Sequence, residues 1–389
     1  MIPVSVFLKL SALMLVPGSA SPQTRALIVG GGPSIKYNQV GIESNVRYVE
    51  RLFGDAIPHK ILFADGDPKS LTVLYIDDAN KTLYREPKIK QLDGASQPEI
   101  VKSQIADLAT GIANSPKTTA LLYFTGHGTG GGNYDNNEFG MWKMSPLTVT
   151  QLAADIQPIP KANPVVVVMV QCFSGGFANL LFADGNPKGE VLDRDICGFF
   201  SSVAQRMSAG CQPTTNESDY HDFSGYFFAA LSGTTRMGTM LSKPDYNHDG
   251  KVGMNEAFAY SLISDVSMDT PVCTSDAFLR RFVPTPDATV FATPYAKIKA
   301  WAGPSQLAAL EGLSDQLKLT GEDRAAKSFA DMSNYTMDSD DSKFVKGLRF
   351  VRLAKSVVLA HTLETGTDKV LKDRFHRLID AESKNPLVD

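Results

Sequence analysis

The 389-residue chain has only four cysteines, Cys172, Cys197, Cys211 and Cys273, and no Cys-x-x-Cys pair, so it carries no zinc signature. Excess charge is also missing. Thirty-eight Lys and Arg stand against 42 Asp and Glu, a net charge of −4, which predicts no nucleic-acid partner and no attraction to an anionic membrane. Beyond the N-terminus no run reaches the ~20 apolar residues of a membrane span. Val351 to Leu363 comes nearest, and it contains Arg352, Lys355 and His361. His59, His221, His248, His361 and His376 have no metal spacing and read as surface or packing residues. The two tryptophans, Trp142 and Trp301, read as core or domain-contact residues.

The first twenty residues differ from the rest. Val4 to Val16 is apolar apart from Ser5, Lys9 and Ser11, and Pro17-Gly18-Ser19-Ala20 follows. This is the pattern of a secretory signal cleaved after Ala20, and it predicts a secreted or periplasmic protein; a buried N-terminal helix is the other reading. In such an oxidising compartment Cys197 and Cys211 form a candidate loop-closing disulfide.

Apolar runs then alternate with amphipathic stretches. Arg25–Val29, Lys60–Phe63, Thr119–Phe124, Val165–Val170 and Gly198–Val203 read as strands. Helical spacing appears from Ile42 to Phe53, Ile100 to Ile112, Leu147 to Ile156 and Tyr226 to Leu231. Alternation of this kind predicts an α/β fold, a mostly parallel sheet with helices on both faces, over residues 24–290. Gly30-Gly31-Gly32 fits neither a dinucleotide fingerprint nor a phosphate loop and reads as a strand-to-loop turn. Over residues 295–389 sheet signals stop. Leu307 to Leu319 and Phe344 to Val358 keep helical spacing around an acidic break at Thr336–Ser342, which predicts a separate all-helical domain, a candidate surface for a protein partner.

Two strand ends carry the chemistry. One apolar run opens into Thr125-Gly126-His127-Gly128, the other into Gln171-Cys172-Phe173-Ser174-Gly175-Gly176. In open α/β sheets ligands gather at the carboxyl ends of strands, so a thiol and an imidazole there can share a crevice as nucleophile and proton acceptor. The Gly128 and Cys172 amides are candidate oxyanion donors. A helix starting near Phe177–Phe182 would favour the thiolate. The competing reading is an inert core cysteine beside an unrelated histidine.

The segments Phe124–Gly128 and Gln171–Gly175 resemble the two active-site strands of clan CD cysteine peptidases, the group of caspases, metacaspases and legumains. His127 precedes Cys172 by 45 positions, and caspase-type enzymes use roughly 50. Ser208-Ala209-Gly210-Cys211 and Tyr226-Phe227-Phe228 are similar to the stretch after the nucleophile in legumain-like bacterial proteins. The likeness covers about Arg25 to Arg281. It implies a caspase-like sheet, a His127/Cys172 dyad, peptide or protein substrates and cleavage through a thioester. The chain departs from the family just before the nucleophile, with Val170 and Gln171 where a polar or acidic residue and a small one are frequent, and this leaves substrate choice open. A transpeptidase or amidase using the same dyad, and an inert caspase-like binding protein, are the alternatives.

A second motif stands at Asp245–Glu256, which fits the calcium loop D-x-[DN]-x-[DN]-G-x5-E. Asp245, Asn247, Asp249 and Glu256 would supply side-chain oxygens, Lys251 its carbonyl, and Gly253 a bound water. No entering helix precedes Pro244, so a structural Ca2+ clamp is expected rather than a sensor.

Overall fold

The computed structural model describes residues 24–388. The expected signal at 1–20 lies outside them. In chain order the elements are β1 (Thr24–Gly31), α1 (Val40–Phe53), β2 (His59–Phe63), β3 (Val73–Ile76), β4 (Thr82–Arg85), α2 (Pro98–Ile112), β5 (Thr119–Thr129), β6 (Glu138–Met141), β7 (Ser145–Thr148), α3 (Val149–Asp155), β8 (Val165–Met169), β9 (Ile196–Phe200), α4 (Phe223–Ser232), α5 (Met254–Ser264), β10 (Val272–Cys273) and α6 (Thr274–Phe282). Six helices follow: α7 (Asp287–Phe291), α8 (Tyr295–Trp301), α9 (Pro304–Leu317), α10 (Arg324–Met332), α11 (Ser342–Thr365) and α12 (Lys369–Glu382).

The main sheet runs β10-β9-β8-β5-β1-β2. All neighbours are parallel except β10, which closes the edge antiparallel to β9. Its strands are continuous apolar runs because both faces are covered. Every residue of β8 is buried, and each fully buried Val contributes roughly 1.5–3 kcal/mol relative to exposure. Helix α1 packs with α4, which in turn packs with α5, while α2 packs with α3; α1 and α2 both lie against β1. The hairpin β6–β7 extends the main sheet from β5, and β3–β4 forms a separate two-stranded sheet.

The C-terminal helices pack onto this unit. One continuous buried cluster includes Leu122 and Phe199 of the sheet, Phe278 of α6, Leu310 of α9 and Leu359 of α11. Asn385 closes the contact by donating to the carbonyls of Leu231 (3.1 Å) and Val252 (2.9 Å).

Candidate active site

His127 and Cys172 belong to neighbouring strands at the carboxyl rim. The β5–β8 register runs from Ala120 opposite Val165 to Phe124 opposite Met169, and three residues further along each chain stand His127 and Cys172. Gly128 records how close the two segments come. A Cβ there would overlap the Cys172 carbonyl and the Gln171 side chain, so only glycine fits. Strand β5 does not stop before the histidine, as the apolar run suggested. Its last three residues leave the main sheet and pair with β6, His127 facing Gly140. Both candidate side chains are half-buried and reach the rim.

His127 is oriented by a residue that the sequence reading did not single out, and Cys172 by Ser208, which that reading quoted only within the Ser208–Cys211 likeness and gave no role. His127 Nε2 donates to Gln39 Oε1 at 2.8 Å. Gln39 is the N-terminal cap position of α1, and the chain reaches it through the glycine turn. There Gly32 lies against the Tyr37 carbonyl where no side chain fits, and the Tyr37 ring meets the His127 ring edge-on at 5.9 Å. Asn45 of α1 donates to Thr125 Oγ1 (3.1 Å), which fixes this helix to the strand just before the histidine.

Cys172 Sγ accepts the Ser208 N–H at 3.3 Å and approaches the Ser208 carbonyl at 3.6 Å. Phe173 follows in the left-handed region (φ 60°, ψ 18°), a strain of about 1–3 kcal/mol for a non-glycine residue. Its N–H donates to the Arg206 carbonyl at 2.7 Å, and Asn137 Nδ2 donates to its carbonyl and to that of Ala204 (2.9 Å). The α-helix expected near Phe177 is instead a 3-10 run, Ser174–Leu181. Gly175 packs against the Ser202 and Val203 backbone and Gly176 against Asn137, contacts that hold the turn tight. The N–H that reaches the sulfur therefore comes from Ser208 on a distant loop.

Burial pushes the Cys172 thiol above its ordinary pKa and Asp269 adds to this, while the Ser208 N–H works the other way. Burial holds the His127 imidazole below its ordinary value, with the Tyr37 backbone opposing. The resting pair is accordingly thiol and neutral imidazole near pH 7. That is the protonation state from which the ring can take the thiol proton.

The Cys197–Cys211 disulfide is not formed, and all four cysteines are free. Cys197 sits opposite Val166 near the amino ends of the strands, whereas Cys211 Sγ lies 3.5 Å from the Gly126 carbonyl at the carboxyl rim. The sheet separates them.

The residues of the candidate calcium loop form a closed turn entering α5. Glu256 Oε1 accepts from the amides of Tyr246 (2.7 Å) and Asn247 (3.1 Å), and Oε2 from Gly253 (3.0 Å). Asp245 accepts from the amides of Asp249 (3.1 Å) and Gly250 (2.9 Å), and Asp249 from Lys251 (2.8 Å). Among the described residues no three His, Cys, Asp or Glu side chains converge as a metal cluster. The oxygen-only donor set suits Ca2+ by type.

No family model and no curated protein matches the chain. Among solved structures it is similar to protein GSU0716 from Geobacter sulfurreducens (13% identity, 65% of this chain and 92% of that one, TM-score 0.38). It is also similar to caspase-1 from Spodoptera frugiperda (13%, 54% and 67%, TM-score 0.31). A third is a secreted C11 cysteine protease from Bacteroides thetaiotaomicron (14%, 72% and 71%, TM-score 0.33). At these values the functional reading rests on the site's own geometry.

Proposed function

We propose that the protein is a secreted or periplasmic cysteine endopeptidase with Cys172 as nucleophile and His127 as proton shuttle. One observation carries this reading: the two side chains stand at adjoining carboxyl ends of the two central parallel strands, both open to the rim. His127 takes the thiol proton and the sulfur attacks a peptide carbonyl. The Gly128 and Cys172 amides hold the oxyanion. The ring then returns the proton to the leaving amine, and water releases the thioester.

A thiol-directed acylating peptide probe, read by mass spectrometry, tests it. Labelling should fall on Cys172 and vanish in Cys172→Ala, with His127→Ala at least 100-fold slower, about the contribution of one general base. Equal labelling of wild type and Cys172→Ala rejects the assignment. We further propose that Asp245, Asn247, Asp249, Lys251 and Glu256 hold a structural Ca2+. A chelator should then lower the melting temperature of wild type and leave Asp245→Ala unchanged; a wild type indifferent to both chelator and added Ca2+ rules it out.

A further inference from the structure

The amide that touches the candidate nucleophile belongs to a loop, Ser201 to Gln212, that has no secondary structure of its own. Two buried arginines tie this loop to the C-terminal helices. Arg349 lies on α11 and is 2% exposed, yet it reaches out of its helix into the peptidase region. Nε donates to the Asp269 carbonyl (2.8 Å), Nη1 to the Asp265 carbonyl (2.6 Å) and Nη2 to the Ser267 carbonyl (3.1 Å). Asp269, so placed, accepts the amides of Ala209 (2.7 Å) and Phe223 (2.8 Å). Ala209 follows Ser208, whose own amide reaches Cys172 Sγ. The second tie runs the other way. Arg206, 1% exposed, donates from the loop to the carbonyls of Met337 and Ser339 (2.9 Å) in the acidic break between α10 and α11. Its guanidinium covers the Phe344 ring at 5.2 Å, and its own carbonyl accepts the Phe173 amide beside the nucleophile.

We infer that the C-terminal helices complete the nucleophile's pocket, and that Arg349 is a positioning residue which, through the Asp269 segment, holds the Ser208 amide against Cys172. The planar fork of arginine suits this task because it satisfies several carbonyls at fixed angles. Lysine is a point donor on a flexible stem and keeps the charge without the geometry. A thiolate that loses a fixed N–H donor becomes less stable, so a misplaced Ser208 raises the thiol pKa.

The inference rests on Cys172 being the nucleophile, but its test reads the thiol itself and needs no peptide cleavage. The rate of Cys172 alkylation by iodoacetamide is measured from pH 6 to 10 by peptide mapping on the full chain. In Arg349→Lys the midpoint should rise by about half a pH unit or more, with a rate at pH 7 about threefold lower. Arg349→Met should shift it further, the lysine variant thus giving partial rescue. Helices that merely stabilise the fold would lower the melting temperature and leave the midpoint in place, and that result overturns the inference. Should Arg349→Lys not fold, Arg206→Lys decides in its stead, with the same upward shift expected and an unmoved midpoint overturning it. Absence of probe or peptide turnover would remove the peptidase reading; an unmoved midpoint would remove this one.

Discussion

The strands β1 and β8 bury nearly every side chain they carry, and β5 all but its ends, whereas α10 and α12 bury only a few side chains and leave much of their length exposed; α11, the central helix of that region, is buried or half-buried from Phe344 to Ala360. Local sequence announces the sheet accordingly, through unbroken runs such as Val165–Met169. The helices are announced only by their period. The two regions also differ in how they meet. Within the sheet, contact is a backbone ladder between strands that any apolar run can join. Between sheet and helices it depends on single buried polar residues, Arg206, Arg349, Glu382 and Asn385, each matched to particular carbonyls or amides. A candidate-site wall built on such matches is fixed in place and vulnerable to one substitution.

The sharpest way to break the comparison is to cut a cavity on each side of it. Phe124 on β5 and Leu313 on α9 are both fully buried. Phe124→Ala should cost about 3–5 kcal/mol and Leu313→Ala about 2–5. Because one buried cluster contains both residues, each variant should shift a single common unfolding transition, measured by calorimetry. A second transition moved by Leu313→Ala alone would show two independent units.

A smaller effect is expected from pH. Burial pushes the Glu382 carboxyl up to about 7, while it accepts from Thr274 Oγ1 and the Ser275 amide, both at 2.8 Å. A carboxyl whose folded pKa is raised favours the folded state most when protonated. Its contribution is therefore full below about 4.5, falls as pH rises towards 7, and is constant above. Glu382→Gln should flatten that part of the stability profile, read as melting temperature at pH 5 against pH 8. An unchanged slope would place the titration elsewhere.

The smallest effect sets the scale. Lys327 pairs with Asp323 at 2.8 Å on the solvent side of the helical region. Lys327→Ala should leave the denaturant midpoint essentially where it is in chemical denaturation. A lowered midpoint would mean that surface pairs as well as buried ones hold these helices.

Much of the sheet was legible because burial on both faces leaves an uninterrupted apolar signature. The hairpins β3–β4 and β6–β7 were not, since they are four-residue strands; β4 is largely exposed and shows no burial alternation. His127 and Cys172 stood out because each directly follows such a run. Gln39 did not, being 88 positions from the ring it orients, and nothing local marks it as different from any other glutamine. The same holds for Arg349, whereas Ser208 stood in a segment already quoted for its likeness but with nothing to say that its amide meets the sulfur. The 3-10 turns after Cys172 escaped for another reason: helical spacing of Phe177 to Phe182 is satisfied equally by a short tight run once two glycines are pressed against neighbouring backbone.

Residue order alone settled the parallel α/β plan, the position of the thiol and the imidazole at strand ends, and the helical character of the last hundred residues, because hydrophobic periodicity and glycine placement act over a few neighbours. Folding in three dimensions decided which amide meets the sulfur, which side chain meets the imidazole, that the cysteines stay unpaired, and that distant arginines reach the loop beside the thiol. Those outcomes turn on hydrogen bonds between segments that only the packed core brings into bonding distance, and short-range pattern carries no record of them.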